Sequence, residues 1–191
     1  MKNLVLMIVA VMICATADAQ LISSRIVTKE KEKKESGMIL ELGVGALGGS
    51  VSANGYSANI KSDGISMDLG LGYRKVFTPY VAWDILKLRA FGQINDLGST
   101  ITSQLLTAVR GTSPVLFANA KVYASAGLGY GYVFDLSTGG LCYEIQAGLD
   151  ITPSIYLGLV YSAQKFKQDS GNNFDINYNL TFTGLRVGYK F

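Results

Sequence analysis

The sequence predicts an all-β chain, an eight-stranded antiparallel up-and-down transmembrane β-barrel. Three observations carry this. From Gly37 onward, large apolar residues alternate with small or charged ones at the strand period of two. The connections between the runs alternate between short, proline-bearing segments and longer polar ones. The composition is 49% hydrophobic and only 16% charged, with 22 glycines and 11 tyrosines, against about 25% charged in ordinary soluble domains. Histidine is absent, which removes His-based triads, His general bases and His-ligated metal sites.

Residues 1–19 read as a secretory signal peptide. Lys2 supplies the positive start, Leu4 to Ala15 is a continuous apolar run, and Ala17-Asp18-Ala19 fits a small-residue cleavage site. The run is too short for a membrane-spanning helix, which needs about 20 residues. Ile13 before Cys14 does not suit lipid modification. Cleavage removes Lys2 and Asp18, so the net charge of +3 persists. Cys142 is then the only cysteine of the exported chain and cannot form an intramolecular disulfide; it reads as an inert small residue within a strand. Residues 20–36, with a dense Lys/Glu run from Lys29 to Glu35, read as a charged, solvated, periplasmic N-terminal extension.

Residues 37–191 form the barrel. The first strand is expected over 38–47, with Met38, Leu40, Leu42, Val44 and Ala46 on one face and Glu41, Gly43 and Gly45 on the other. The second, over 64–74, sets Ile65, Met67, Leu69, Leu71 and Tyr73 against Ser66, Asp68, Gly70, Gly72 and Arg74. The third, over 80–91, changes parity between Ile85 and Leu86, which predicts a bulge near Ile85. The fourth spans 100–110. The fifth spans 115–133, with Val122, Leu128, Tyr130 and Tyr132 opposite Lys121, Tyr123 and three glycines.

The sixth strand, over 141–151, alternates Leu141, Tyr143, Ile145 and Leu149 with Cys142, Glu144, Gln146 and Asp150. The seventh, over 155–164, places Leu157, Leu159 and Tyr161 opposite Tyr156, Gly158 and Val160. The eighth, over 178–191, changes parity between Phe182 and Leu185, which predicts a second bulge around Thr183. All three prolines fall in the connections after the second, fourth and sixth strands, at 77–79, 111–114 and 152–154; proline lacks the amide a strand interior needs. The other connections, 51–63, 92–99, 135–140 and 167–175, read as longer polar loops.

The two faces assign the environment. Glu41, Asp68, Arg74, Lys121, Glu144, Asp150, Arg186 and Lys190 share the glycine-rich face. An eight-stranded barrel has an interior just wide enough for side chains. Glycine and paired charges fit that space, and the large apolar face then meets lipid. A closed barrel satisfies every backbone group inside a bilayer, and strands of about ten residues match its span. Tyrosines near the strand ends suit the interfacial girdles.

The chain from Gly37 to Phe191 resembles the OmpA/OmpX-like eight-stranded outer-membrane barrels, and Gly184-Leu185-Arg186-Val187-Gly188-Tyr189-Lys190-Phe191 resembles their closing strand. The resemblance implies a Gram-negative outer membrane as the location and lipid and the barrel assembly machinery as partners. It also implies that Val187, Tyr189 and Phe191 form the C-terminal assembly signal. Small outer-membrane acyltransferases and deacylases rely on histidine as families, a mechanism this chain lacks.

Asp68, Glu144 and Asp150 read as members of an interior salt-bridge network with Arg74, Lys121, Arg186 and Lys190 rather than as paired catalytic carboxylates. Gly127 to Gly131 lies inside a strand pattern with no following helix, so it is no nucleotide loop. The basic residues form no stripe for nucleic acid. No cofactor and no metal are expected.

The expected function is a non-enzymatic structural or surface-interaction scaffold whose loops meet an extracellular ligand or host surface. The alternatives are a small porin-like channel and a soluble exported barrel holding an apolar ligand. An even strand count puts the N-terminus and Phe191 on the periplasmic side.

Overall fold

The computed structural model describes residues 36–53, 56–61, 64–95, 98–117, 120–169 and 175–191. The segment expected to be a signal peptide, 1–19, and all but Ser36 of the expected extension, 20–36, lie outside the described residues. The strands are β1 (Gly37–Ala53), β2 (Tyr56–Lys61), β3 (Ser66–Thr78), β4 (Val81–Asn95), β5 (Gly98–Phe117), β6 (Ala120–Val133), β7 (Thr138–Asp150), β8 (Ile155–Asp169) and β9 (Asp175–Lys190). Each pairs antiparallel with its neighbour, and β1 pairs with β9 to close the sheet. β2 and β3 are two stretches of one stave, both pairing with β1. The result is a closed, eight-staved antiparallel barrel.

Closure through β1 and β9 gives the staves partners on both sides across the mid-barrel, while β2 pairs with β1 alone. The start of β1 and the end of β9 lie at one rim, where Phe191 N donates to Met38 O at 2.9 Å. Two connections at this rim use one device. Thr78 Oγ1 accepts from Tyr80 N and Val81 N at 3.2 and 2.9 Å. Thr152 Oγ1 accepts from Ser154 N and Ile155 N at the same two distances. In both, the threonine precedes a proline that cannot donate, so its hydroxyl satisfies the following amides instead.

The third proline does not mark a turn. Pro114 sits within β5, and the connection expected at 111–114 lies beyond Phe117, so β6 begins at Ala120 rather than at 115. Pairing passes from Thr112↔Tyr123 to Val115↔Lys121, and Ser113 and Pro114 are skipped. Ser113 Oγ accepts from Val122 N at 2.9 Å. The side chain thus receives an amide that the irregular backbone leaves over.

The bulge at Ile85 is present. Tyr73↔Leu86 is followed by Arg74↔Asp84 on one side, and Asp84↔Ala108 by Lys87↔Leu106 on the other. The bulge around Thr183 is absent: β9 keeps unbroken register with both β1 and β8. Tyr178, Leu180 and Phe182 share the inward parity of Arg186, because the lumen turns apolar away from the termini. Leu47, Phe91, Val160 and Phe182 form a buried cluster there, and Phe166 stacks on Tyr178 at 4.9 Å.

The polar connections away from the termini are shorter than expected. β1 and β2 occupy most of 51–63, β4 runs to Asn95, β8 to Asp169, and 134–137 is a tight turn in which Ser137 N donates to Phe134 O. Ser137 adopts φ 48°, the left-handed conformation that closes the hairpin.

The outward face is apolar around the barrel: Leu42, Met67, Leu88, Val109, Leu128, Leu159 and Leu185 are all exposed. So large an exposed apolar belt excludes the soluble alternative, whose apolar side chains would fill the lumen. Tyr73, Trp83 and Tyr189 face out near the terminal rim, and Tyr130, Tyr132, Tyr143 and Tyr161 face out toward the other. Leu159, 63% exposed, lies mid-belt on β8. Leu159→Arg is expected to cost about 2–4 kcal/mol of folding free energy, measured by urea titration in lipid bilayers; a change below about 0.5 kcal/mol would contradict a lipid-facing Leu159.

Candidate functional site: a charged cluster that fills the lumen

The inward face of the mid-barrel carries three acids and three bases from five strands. Glu41 comes from β1, Asp68 from β3, Lys87 and Arg89 from β4, Glu144 from β7 and Arg186 from β9. All are buried, Glu41, Arg89 and Arg186 completely. Their neighbours on the inner wall are glycines, so the long side chains have room to cross the lumen. Gly70, for example, lies opposite both Glu41 and Arg89.

Arg186 is the hub. Its Nε donates to Asp68 Oδ2 at 2.8 Å, its Nη1 to Glu41 Oε2 at 3.1 Å and its Nη2 to Glu144 Oε2 at 3.0 Å. Lys87 Nζ bridges Glu41 Oε2 and Glu144 Oε1, each at 2.6 Å. Arg89 Nε donates to Asp68 Oδ1 at 2.6 Å, and its Nη1 reaches Glu144 Oε2 and Gln104 Oε1, both at 3.3 Å. The remaining oxygen, Glu41 Oε1, accepts from Tyr156 OH at 2.8 Å. Every carboxylate oxygen of Glu41, Asp68 and Glu144 therefore has a donor, and the charges balance. A buried ion is tolerated only under these two conditions.

The cluster is capped on both sides. Toward the termini, Arg74 Nε and Nη2 grip Asp84 at 2.6 and 3.0 Å, and Arg110 pairs with Asp150. Tyr156 lies between the Arg74 and Arg110 guanidiniums, 5.0 and 4.6 Å from its ring centre, and Tyr123 meets it edge-on at 5.6 Å. The Tyr156 ring occupies the space above Gly188, its cross-strand partner, where a Cβ would clash with the ring. Away from the termini, Ser162 Oγ and Gln104 Nε2 extend the network to Gln164, and Arg89 packs against the Phe91 and Phe182 rings at 4.7 and 4.9 Å.

Of the residues expected in the network, Glu41, Asp68, Arg74, Glu144 and Arg186 are buried inside it or at its edge. Asp150 lies at the terminal rim, partly exposed, with Arg110. Lys121 and Lys190 do not join the buried cluster; they are half-buried at that rim and make contacts of their own. Lys87, Arg89, Asp84 and Arg110 were not singled out from the sequence. The signal for the first three was the parity change at Ile85. With Leu86 and Leu88 outward, Lys87 and Arg89 must point in, and Asp84 does so before the bulge. Val187, Tyr189 and Phe191 share the outward face, with Tyr189 and Phe191 in edge-on contact at 4.7 Å. Cys142 is buried on the inner wall. Among the described residues no group of acids and cysteine is placed to hold a metal ion.

Arg186→Met leaves three buried carboxylates facing two bases. The expected loss is about 3–5 kcal/mol, the size found when one partner of a buried ion pair is removed. Urea unfolding in bilayers measures it, and a loss under about 1 kcal/mol would mean the cluster is open to water.

No family model matches the chain, and no curated protein matches it. Solved structures do. Neisserial surface protein A aligns at 13% identity over 82% of this chain and 99% of that one, with a TM-score of 0.51. The outer-membrane enzyme PagL aligns at 11% over 76% and 99%, with 0.48. Ail, the attachment invasion locus protein of Yersinia pestis, aligns at 14% over 78% and 98%, with 0.43. The chain has the OmpA/OmpX-like eight-stranded outer-membrane barrel fold.

Proposed function

We propose that this protein is a non-enzymatic outer-membrane barrel that acts as a structural or surface-interaction scaffold. The observation that carries the reading is the filled lumen. Charge-balanced side chains from β1, β3, β4, β7 and β9 meet at the barrel axis within 3.3 Å of one another. Apolar side chains close the space on one side and the Arg–Tyr stack on the other. Such an interior stiffens the barrel and leaves the outer surface to meet partners.

The same observation disfavours the porin-like alternative, since an ion would have to displace a charge-balanced cluster in which every carboxylate oxygen is engaged. The absence of histidine from the chain and the engagement of each mid-barrel carboxylate with cations support a role without catalysis. The rim with Gly37 and Phe191 is the periplasmic one, and the hairpins of β1–β2, β4–β5, β6–β7 and β8–β9 face the exterior. Lipid surrounds the belt. Val187, Tyr189 and Phe191, outward on one strand, serve as the signal for the assembly machinery.

Reconstitution of the folded protein into planar bilayers tests the reading. The wild type is expected to give no steady single-channel current, and Arg186→Ser is expected to raise the frequency of openings while the barrel still migrates as a folded species before boiling. Stable wild-type channels would replace the scaffold by a pore.

A further inference from the structure

Thr107 faces outward on β5 between Leu105 and Val109, both exposed in the apolar belt. A hydroxyl that faces hydrocarbon needs a partner for its proton and one for its oxygen. Thr107 has both. Its Oγ1 accepts from Trp83 Nε1 at 2.6 Å and donates to Asp84 O at 3.2 Å. Trp83 is itself held: its ring stacks on Phe77, with centroids 6.4 Å apart, and Lys75 Nζ lies 5.6 Å from the Phe77 ring centre. Together these groups make a relay from the interfacial aromatics to one backbone carbonyl.

That carbonyl stands where the bulge of β4 opens. Asp84 pairs with Ala108 and Lys87 with Leu106, so Ile85 and Leu86 together stand opposite Thr107 alone. On the other side, Leu86 pairs with Tyr73 and Asp84 with Arg74, so Ile85 is skipped. Ile85 and Leu86 both face outward, 39% and 54% exposed. The extra residue is what lets Asp84 and Lys87 both face inward. Asp84 then meets Arg74 at 2.6 Å, and Lys87 meets Glu41 and Glu144 at 2.6 Å. A shift of one residue turns every side chain of a strand segment to the other face. Without the bulge, either Asp84 would leave Arg74 for lipid, or Lys87 and Arg89 would leave the cluster. A bulge disrupts the ladder locally, and a backbone group without a partner in lipid is costly.

We infer that Thr107 is a positioning residue of the lumen cluster, acting from the lipid side of the wall. Its hydroxyl, placed opposite the bulge, engages the Asp84 carbonyl and holds the register that turns Lys87 and Arg89 inward. Trp83 orients the hydroxyl: by donating to the Thr107 oxygen it leaves the Thr107 proton for Asp84 O. The inference goes beyond the scaffold reading. It depends on the lipid-facing belt and on the charged cluster, and not on what the barrel does. Valine is β-branched like threonine and lacks only the hydroxyl, so Thr107→Val removes the relay and keeps the strand.

The test places the isotope-labelled full barrel in lipid nanodiscs and follows two signals by NMR. One is the indole N–H of Trp83, the single tryptophan. The other is the Nε–H of Arg89, which donates to Asp68 Oδ1 at 2.6 Å inside the lumen. Thr107→Val is expected to move both signals and to raise the urea unfolding constant about tenfold, as for a polar group left without its partner. Thr107→Ser, which keeps the hydroxyl, is expected to restore both. Thr183→Val, outward on the regular strand β9, is expected to move neither. If Thr107→Val does not fold, Trp83→Phe keeps an aromatic ring, removes the donor and carries the test on the Arg89 signal, which is expected to move. An unmoved Trp83 signal in Thr107→Val would mean that the relay does not exist and would overturn the inference. A moved Trp83 signal beside an unmoved Arg89 signal would reduce Thr107 to a local contact and overturn it too. So would an unmoved Arg89 signal in Trp83→Phe, or a Thr107→Ser barrel that behaves like Thr107→Val.

Discussion

Arg186 joins three carboxylates from three different strands at the centre of the barrel, and the rest of the interior is arranged around that compensation. An eight-staved barrel encloses too little space for bulk water and too much for glycine alone. The chain fills it with long side chains whose charges cancel. Lys87 and Arg89 close the remaining sides of Glu41, Asp68 and Glu144, and Tyr156 takes the last free oxygen. Removing any one base would strand a charge in a low-dielectric site.

Glycine makes the arrangement possible in one specific place. Tyr156 lies across Gly188, and any side chain there would push the ring out of the stack between Arg74 and Arg110. The bulge at Ile85 is the second requirement. Without it, the parity that turns Trp83 and Ile85 outward would carry Lys87 and Arg89 into lipid. One skipped pair gives the strand both an outward aromatic at the interface and two inward cations.

Much of this was legible in the chain. Strict alternation in residues 64–74 and 141–151 revealed Asp68, Arg74 and Glu144 as inward, because one face of those strands is apolar and mostly large and the other is small, polar or charged. The alternation failed as a guide where the lumen itself changes character. Phe182 points inward like Arg186, but an inward aromatic beside an inward arginine looks like a slip in register. Pro114 misled for a related reason: proline marks turns because it cannot donate, yet a strand that bulges past it needs no donor there. Lys121 and Lys190 share the inward parity, but parity does not report height, and they fall at the wet rim. The polar connections looked like loops because Ser, Asn and Gly dominate them; pairing between β1 and β2, and between β8 and β9, makes them wall instead.

The structure thus presents lipid with an apolar belt, keeps its charge inside, and raises a polar wall on one side beyond the belt. Trp83, the single tryptophan, reports the division of faces without any mutation. It points outward at the terminal rim and donates to Thr107 Oγ1 at 2.6 Å, while Asp84, the next residue, points inward to Arg74. The most direct measurement is quenching of Trp83 fluorescence by lipids brominated at different depths, compared with quenching by aqueous iodide. A lipid-facing belt requires strong quenching by bromines near the headgroup end of the chain and weak quenching by iodide. Full iodide quenching with no effect of brominated lipid would place this face in water and contradict the membrane barrel.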